Sequence, residues 1–296
     1  MNIIGIDIGG THFRIGIADG CGIVSKFKKL PTKQVLHSGD VLNDIAEFIM
    51  NYSEVTKYSA VSIGFPATLN KERTKVLQAP NLKFMENLPV VSYLQDRLNV
   101  PVYAERDVTM ALSYDMKKYN VPHEGITCGI YFGTGIGNAI MSDGRFLTGK
   151  NGTAGELGHI PVDGSDIPCG CGNYGCIENL AGGKYLAYIQ KNNYPDTDIS
   201  ELFTKYCGDE LLTVFVDRMA MCVATDVNIL DPDYVIVGGG VLNMKDFPKN
   251  MFLNKVIEHT RKPYPAENLN IILADDEPEK SVAGAVYYAV SLLRAK

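Results

Sequence analysis

The stretch "NIIGIDIGGTHFRIGIADG", residues 2–20, runs from an apolar segment through a glycine turn into a second apolar segment. The stretch "CGIYFGTGIGNAIMSDG", residues 128–144, repeats that arrangement. Both end in Asp-Gly, a dipeptide typical of the tight turn between two antiparallel strands. The repetition predicts two β-hairpins with a glycine turn at the tip, each leading one half of the chain.

Helical and strand patterns follow each hairpin. Apolar residues recur with helical spacing in three segments, at 38–52, 90–98 and 209–230. Short apolar runs that stop at a glycine or a charged residue predict buried strands at 58–66, 99–105 and 233–240. This order of elements predicts an α/β fold built from two domains.

The division between the two domains is expected where residues 107–120 form a helix before "VPHEG" breaks it. We expect a smaller N-terminal domain at residues 1–115, with a C-terminal helix at about 282–296 packing back on it. Residues 116–281 then form the larger C-terminal domain, which carries a cysteine-rich segment.

Composition argues against two kinds of partner. A formal net charge of −6 and the lack of any run of Lys or Arg argue against a nucleic-acid-binding surface. No apolar run approaches the ~18 residues of a membrane span. The first residues, "MNIIGIDIGG", lack the basic and small-residue features of a signal peptide, so we expect a cytoplasmic protein.

Glycine turns end three of the predicted strands. In the first turn, Gly9 and Gly10 let the backbone approach an anion, and successive N–H groups can form a nest for phosphate. Asp7 suits a Mg²⁺ shell, and the Thr11 hydroxyl suits a phosphate oxygen. Each turn alone also fits an ordinary connection, whereas the three together predict a nucleotide held from both domains. The other two turns contain Gly133, Thr134, Gly135 and Gly137, and Gly238, Gly239 and Gly240.

Asp107 stands where the predicted strand "NVPVYAE" ends and a helix begins. Asp is among the preferred residues at a helix N-cap, so a capping role is one interpretation. A carboxylate at the carboxyl end of a strand also suits a general base that accepts a proton from a substrate hydroxyl. The spacing leaves both roles open, and one residue can perform both.

Three of the seven cysteines fall within eight residues, in "CGCGNYGC" at 169–176. Together with His159, Cys169, Cys171 and Cys176 supply four ligands, the number that a closed tetrahedral Zn²⁺ site needs. Four protein ligands leave no position for water, so the predicted zinc is structural. A reducing compartment disfavours disulfides, whereas reactive free thiols remain an alternative.

Two carboxylates flank this cluster, Glu156 and Glu178. A loop folded around zinc brings them near the second ring nitrogen of His159, which then remains available to a ligand. Carboxylates and an imidazole that converge suit the hydroxyls of a polyol, so a sugar is the expected ligand. The alternative is that both glutamates are solvated loop charges.

Three segments resemble the ROK family of repressors, open reading frames and sugar kinases: "DIGGT" (7–11), "GTGIG" (133–137) and "ELGHIPVDGSDIPCGCGNYGCIE" (156–178). The last fits the zinc signature of that family, E-x-G-H followed by C-x-C-G-x-x-G-C-x-E. The segments at 63–82 and 105–108 are most similar to the D-allose kinase branch. The resemblance spans nearly the whole chain. It implies an actin-like, ribonuclease-H-type fold whose two domains close over a cleft.

The resemblance also implies an activity and a role for each matching residue. The implied reaction transfers the γ-phosphoryl group of ATP to the 6-hydroxyl of a hexose, with Mg²⁺, a structural Zn²⁺ and Asp107 as the catalytic base. A homodimer is the common assembly of the family. The implied sugar-binding residues are Asn81, Arg106, Asp107, Glu156, His159 and Glu178. The implied ATP-binding residues are Asp7, Gly9, Gly10 and Thr11, then Gly133, Thr134, Gly135 and Gly137, then Gly238, Gly239 and Gly240.

Two residues depart from the family pattern. The family usually has E-N-D-A-N where this chain has "ERDVT" (105–109), so that Arg106 and Thr109 replace asparagines. Arg is longer, charged and only a donor, so it cannot copy the contact of an Asn amide with a sugar. We therefore expect a hexose of different hydroxyl configuration from glucose, D-allose first, with glucose, N-acetylmannosamine and fructose as alternatives.

Two functions of another class compete with the kinase. A sugar-responsive repressor of this family carries a helix-turn-helix segment before the first phosphate loop, and the position of Asp7 leaves no room for one. A non-catalytic sugar-binding regulator would not need Asp107, Asp7 and the glycine turns, all of which are intact. Both observations favour the enzyme.

Overall fold

A computed structural model of the chain describes residues 2–19, 22–52 and 57–294. The chain folds into two compact units. The first contains residues 1–121, 148–154 and 277–296, and the second contains residues 122–147 and 155–276. Residue 115, the last residue of the expected N-terminal domain, lies inside the helix Asp107–Lys118.

The described residues form β-strands, numbered in chain order: β1 (Ile3–Ile8), β2 (His12–Ala18), β3 (Val24–Pro31), β4 (Ala60–Phe65), β5 (Thr68–Leu69), β6 (Val76–Gln78), β7 (Val102–Arg106), β8 (Ile126–Phe132), β9 (Ile136–Ser142), β10 (Arg145–Phe146), β11 (Tyr234–Gly238) and β12 (Ile271–Leu273).

The α-helices of the described residues are α1 (Thr32–Val35), α2 (Val41–Tyr52), α3 (Val90–Leu98), α4 (Asp107–Lys118), α5 (Glu178–Ala181), α6 (Gly183–Asn193), α7 (Leu202–Lys205), α8 (Glu210–Leu230), α9 (Lys249–His259) and α10 (Lys280–Arg294). The predicted helices in 38–52, 90–98, 107–120 and 209–230 are confirmed as α2, α3, α4 and α8; α3 matches at both ends, and the others differ at one end by one to three residues. None of the helices described is long and apolar enough to cross a membrane.

The first unit is built on a five-stranded sheet in the order β3-β2-β1-β4-β7. The β1–β2 and β2–β3 pairs are antiparallel, whereas β1–β4 and β4–β7 are parallel. Successive side chains of a strand point to opposite faces of the sheet, and β1 is buried throughout. Both faces are therefore covered by helices. Ile3 packs with Val286 of α10, and Ile4 packs on the opposite face with Ile45 of α2 and Leu94 of α3. Such two-sided burial explains why β1 has no polar face apart from Asp7.

The second unit repeats this architecture in the order β10-β9-β8-β11-β12. The β8–β9 and β9–β10 pairs are antiparallel, and β8–β11 and β11–β12 are parallel. Its core packs α8, through Phe215 and Met219, against strand residues such as Ile130 and Val237. The similarity of the two sheets follows from the repeated hairpin in the sequence.

Both predicted hairpins are confirmed. Ile3 pairs with Ala18 in the first, and Ile126 pairs with Ser142 in the second. The Asp-Gly turn after β9 has φ of 47° at Asp143 and 76° at Gly144, the two positive angles that a tight type I′ turn needs. The corresponding Gly20 lies outside the described residues.

Helix α10 packs on α4 with almost no separation at one point. A Cβ added to Gly284 would lie 2.0 Å from the Met110 carbonyl oxygen, so the two backbones meet where the sequence has glycine. A buried ion pair also joins these helices, with Lys280 Nζ 2.6 Å from Asp115 Oδ2. The C-terminal helix is therefore an integral part of the first unit.

Gly284→Ala should lower the free energy of unfolding by about 3 kcal/mol, because the methyl group forces α10 away from α4. Urea denaturation followed by circular dichroism measures the change. Ser291→Ala, at an exposed position of the same helix, is the matched control and should stay within about 0.5 kcal/mol of the natural protein. Equal stability of the two variants would contradict the close packing.

Candidate active site and metal centre

In the first unit, the two acidic side chains predicted for the site lie at one edge of the sheet. Strands β1, β4 and β7 run parallel, and in their register Asp7 pairs with Gly64 and Gly64 pairs with Glu105. The carboxyl ends of the three strands therefore lie side by side. Asp7 lies at the end of β1, and Asp107 follows β7 as the first residue of α4.

Asp107 is a carboxyl group with an unusual proton affinity. Its pKa is raised to about 7, mainly by burial and then by the negative charge of Asp7, while a hydrogen bond from the Val108 N–H acts in the opposite direction. The Val108 nitrogen lies 2.8 Å from Asp107 Oδ1. Arg106 occupies the capping position of α4, so Asp107 is the first helical residue and not the N-cap. A carboxylate that titrates near neutral pH suits a general base.

Asp7 is held by a side chain that the sequence patterns did not single out. Arg14 pairs with Asp7 across the first hairpin, and its Nη1 donates to Asp7 Oδ2 at 2.7 Å. Burial raises the pKa of Asp7, while Arg14 and a hydrogen bond from the Ser281 hydroxyl act against that shift. Counting residues across the hairpin would have placed position 14 opposite position 7, but the turn length needed for that count was not fixed by the sequence.

The first glycine turn is held by two hydrogen bonds from Thr32 and contacts Asn81. The Thr32 hydroxyl donates to the Gly9 carbonyl at 2.6 Å, and the Thr32 N–H donates to the Thr11 carbonyl at 2.9 Å. A Cβ on Gly10 would lie 3.3 Å from the Cβ of Asn81. The structure thus brings Asn81, which is exposed, against the turn of Gly9, Gly10 and Thr11.

The second glycine turn, in the second unit, packs on a pair of glycines that sequence reasoning missed. The Gly183 and Lys184 N–H groups donate to the carbonyls of Gly133 and Thr134, each at 2.9 Å. A Cβ on Gly183 would lie 2.4 Å from the Gly133 carbonyl oxygen. These N–H groups begin α6, so the start of the helix fixes the turn in place. The signal was the "GG" at 182–183 just before a helical pattern.

Glu178 connects the second glycine turn to the cysteine-rich segment. Its Oε2 accepts a hydrogen bond from the Ile136 N–H at 2.9 Å. A Cβ on Gly135 would lie 2.1 Å from the same oxygen, so only glycine permits this approach. The carboxylate therefore touches the turn that the sequence assigns to phosphate.

The third glycine turn follows β11, next to the end of β8. Gly239 has a φ of +100°, and a Cβ there would lie 2.5 Å from the Phe132 carbonyl oxygen. Gly137 and Gly238 both pair with Tyr131, one on each side of it, and the missing side chain of Gly238 leaves space for the Tyr131 ring. Gly240 has open space around its Cα. The second and third turns therefore lie at the same edge of the second sheet.

The cysteine-rich segment forms a compact set of metal-ligand atoms. One ligand atom from each of His159, Cys169, Cys171 and Cys176 lies within 4.8 Å of the others. Cys169 Sγ lies 3.6 Å from His159 Nδ1, and Cys171 Sγ lies 3.6 Å from Cys176 Sγ. In a tetrahedral site with Zn–S bonds of about 2.3 Å, neighbouring ligand atoms are about 3.7 Å apart. The donor set and its spacing fit Zn²⁺.

Backbone hydrogen bonds also shape this segment. The Cys169 N–H donates to the Asn173 carbonyl at 2.8 Å, and the Gly172 N–H returns to the Cys169 carbonyl at 3.0 Å. Gly175 has a φ of +69°, and a Cβ there would lie 2.3 Å from the Ser165 carbonyl oxygen. Glycine is therefore required where the loop reverses between its second and third cysteines.

The two ring nitrogens of His159 point to different groups. Nδ1 lies in the metal-ligand set, whereas Nε2 lies 3.7 Å from Glu156 Oε2. Glu156 immediately precedes the short 3₁₀ helix Leu157–His159, which sets this spacing. An imidazole that binds a metal through one nitrogen can offer the other to a hydroxyl group.

Arg106 is buried, and its guanidinium points to the backbone of a later segment. Its Nη2 donates to the Ala154 carbonyl at 2.8 Å. Glu105, directly before it, is also buried and bonds Arg73 Nε at 2.8 Å. These contacts lie within the first unit.

The comparisons with known proteins agree with this architecture. The ROK family model matches residues 3–291, so the chain belongs to the ROK family. A crystal structure of a ROK family glucokinase from Streptomyces griseus, in complex with glucose and AMPPNP, superposes with a TM-score of 0.78 at 25% identity and covers 97% of this chain and 98% of its own. The predicted α/β two-domain fold of the actin-like type is confirmed.

Two curated relatives are similar over most of their length. A glucokinase from Thermotoga maritima is 29% identical, with 88% of each chain covered. An N-acetyl-D-glucosamine kinase from Escherichia coli O6:H1 is 32% identical, with 81% of this chain and 84% of that protein covered. The relatives thus act on different sugars.

The purified protein should contain about one zinc ion per chain, because a closed set of four ligands binds Zn²⁺ tightly. Cys171→Ser should reduce the zinc content by at least half, as measured by mass spectrometry of the acid-digested protein. Cys207→Ser, which changes an exposed cysteine outside the ligand set, is the matched control and should retain the metal. Equal zinc in both variants would exclude Cys171 as a ligand.

Proposed function

We propose that this protein is an ATP-dependent hexose kinase that transfers the γ-phosphoryl group of ATP to the 6-hydroxyl of its sugar. The observation that carries the proposal is Asp107, a carboxyl group with a pKa of about 7 at the carboxyl ends of the parallel strands β1, β4 and β7, with Asp7 beside it. Membership of the ROK family and the similarity to a glucokinase and an N-acetylglucosamine kinase support the same activity.

The proton transfer falls to Asp107. Its ionised carboxylate accepts the proton of the sugar 6-hydroxyl as that oxygen attacks the γ-phosphorus and the bond to ADP breaks. Because the pKa of about 7 lies far above that of an ordinary Asp, the carboxylate has a stronger affinity for this proton. The Val108 N–H holds one carboxylate oxygen in a fixed orientation.

The glycine turns would bind the phosphates of ATP. Backbone N–H groups of the turns around Gly10 and Gly135 supply dipoles that stabilise negative charge without side-chain reorganisation. Mg²⁺ bound with ATP would neutralise charge on the phosphate oxygens, and Asp7 is the residue that would hold its hydration shell. In the third turn, Gly238–Gly240, the backbone at Gly240 has open space that suits the flat adenosine.

The residues that would bind the sugar hydroxyls are Asn81, Glu156, His159 and Glu178. Zinc would fix the segment from which His159 Nε2 and Glu156 Oε2 extend, 3.7 Å apart. With all four zinc positions taken by protein ligands, the metal would hold residues in place and leave the chemistry to Asp107. A reducing cytoplasm, which keeps these thiols available, is the location that we propose, and a homodimer is the proposed assembly.

D-allose is the hexose that we propose. Arg106 replaces the Asn that contacts the sugar in the ROK family, and a donor-only guanidinium cannot reproduce that contact. The structure supports the loss of that sugar contact, because the Arg106 guanidinium donates a hydrogen bond to the Ala154 carbonyl. Glucose, N-acetylglucosamine, N-acetylmannosamine and fructose are the alternatives within the same reaction class.

A coupled assay of ADP release with Mg-ATP should show that D-allose is turned over with the highest kcat/KM among the hexoses named above. Removing the hydrogen bond to a single sugar hydroxyl changes the ratio of kcat/KM values by about tenfold or more. ADP release without sugar provides the background. Preference for glucose or an N-acetylated sugar would retain the kinase and reject allose, and silence toward every sugar would favour a non-catalytic sugar-binding protein.

Asp107→Asn should reduce kcat by at least about 100-fold, the usual contribution of a general base. In the natural protein, kcat/KM should fall about tenfold per pH unit below pH 7, because protonation of Asp107 removes the base. Asp96→Asn, which changes an exposed carboxylate on α3, is the matched control and should keep the natural rate.

Loss of activity by unfolding can be distinguished in the Asp107→Asn protein. A raised folded-state pKa means that the stability supplied by neutral Asp107 is present below about pH 4 and is lost as the pH rises through about 7. The Asn variant resembles the neutral form, so at pH 8 its Tm should equal or exceed that of the natural protein. A lower Tm together with lost activity would point to a structural role.

A further inference from the structure

Residues 148–154, "TGKNGTA", form a strap that belongs to the first unit although the chain on both sides of it belongs to the second. The Ala154 N–H donates to the Thr148 carbonyl at 3.2 Å, which closes the strap into a loop. Gly152 has a φ of +84°, and a Cβ there would lie 2.7 Å from the Leu69 carbonyl oxygen. The strap therefore packs closely on the segment that follows β5.

Two arginines bind the strap through its backbone carbonyls. Arg73 Nη1 donates to the Gly152 carbonyl at 2.7 Å, and Arg106 Nη2 donates to the Ala154 carbonyl at 2.8 Å. Hydrogen bonds from a charged donor are stronger than those between neutral groups. The two carbonyls are two residues apart, so the arginines fix both the position and the direction of the strap.

A buried carboxylate holds the Arg73 side chain and the Arg106 backbone in position. Glu105 is 1% exposed, and its Oε2 accepts from Arg73 Nε at 2.8 Å and from the Tyr288 hydroxyl at 3.2 Å. Its Oε1 accepts from the backbone N–H of Arg106 at 2.8 Å. The Arg73 side chain, locked by this network, loses little further freedom when it binds the Gly152 carbonyl, so this half of the clamp is preorganised.

The clamp connects two residues of the proposed active site along the chain. Arg106 directly precedes Asp107, and Ala154 lies two residues before Glu156. A residue two positions from a fixed carbonyl has a restricted range of positions. We propose that Arg106 is a positioning residue: with Arg73 it clamps the strap 148–154 and so fixes the chain two residues before Glu156, while making no sugar contact itself. The part of this proposal that concerns Glu156 rests on the proposed function.

This role explains why the residue is Arg. An Asn side chain is shorter than Arg and offers a single amide, so it cannot extend its donor as far as the Ala154 carbonyl from the same backbone position. A sugar-contacting Asn and a strap-binding Arg are therefore alternative uses of position 106. The two uses predict different responses to substitution.

The test compares Arg106→Asn and Arg106→Lys with the natural protein by hydrogen exchange of the peptide spanning residues 148–155, without sugar. Arg106→Asn should speed exchange about tenfold or more, the change expected for losing one hydrogen bond to a charged group. Arg106→Lys keeps a charged donor, so its exchange should lie between the two. Arg145→Asn, which changes an exposed arginine of β10, is the matched control and should leave the strap unchanged.

The kinetic readout separates positioning from sugar contact. Arg106→Lys weakens the clamp without introducing the Asn amide that contacts the sugar in the ROK family, so it should lower kcat/KM by a similar factor for every hexose, with their ranking preserved. A changed ranking with unaltered exchange of the strap would overturn the proposal in favour of direct contact, and unaltered exchange with unaltered kinetics would overturn it as well.

The failure of the clamp and the failure of the proposed function are distinguishable. If the natural protein releases no ADP with any hexose, the proposed kinase activity is rejected. The hydrogen-exchange comparison still decides whether Arg106 clamps the strap. Should Arg106→Asn fail to fold, Arg106→Lys supplies both readouts, with partly raised exchange and unaltered ranking as the expected result. Natural exchange rates in Arg106→Lys together with an altered ranking would reject the clamp.

Discussion

The parallel pairing of strands is the constraint on which the site of each unit depends. Parallel strands present their carboxyl ends at the same edge of a sheet, so residues far apart in the chain meet there. In the first unit this register places Asp7, at the end of β1, near Asp107, which follows β7. In the second unit it places the turn after β8 beside the turn after β11. Neither grouping needs any local contact along the chain.

Two carboxyl groups close together in the sequence have different surroundings, and these surroundings suit them to different roles. Glu105 is surrounded by donors, from Arg73, Tyr288 and the Arg106 N–H, and it acts as the centre of a buried network. Asp107 lies two residues later beside Asp7, and burial together with the charge of that carboxylate raises its pKa to about 7. The same functional group therefore serves as an anchor at one position and suits a base at the next.

Close backbone approach is the second theme of the molecule. Glycine permits the Glu178 carboxylate to reach the turn at Gly135, the start of α6 to reach Gly133, and α10 to reach α4 at Gly284. Each of these approaches brings together two segments that are distant in the sequence. The metal-ligand set follows the same logic, since Gly175 allows the loop to reverse between Cys171 and Cys176. Rigid support of this kind is what a binding site requires.

The sequence alone determined the hairpins, the long helices, the glycine turns and the metal-ligand set, because each depends on periodicity or spacing within a short stretch of chain. Only the tertiary structure decided that Arg14 opposes Asp7, that Gly182–Gly183 supports the second turn, and that the strap 148–154 joins the first unit. It also directed the Arg106 guanidinium to Ala154. Side-chain direction and long-range packing depend on register between distant segments, and a linear pattern carries no record of that register.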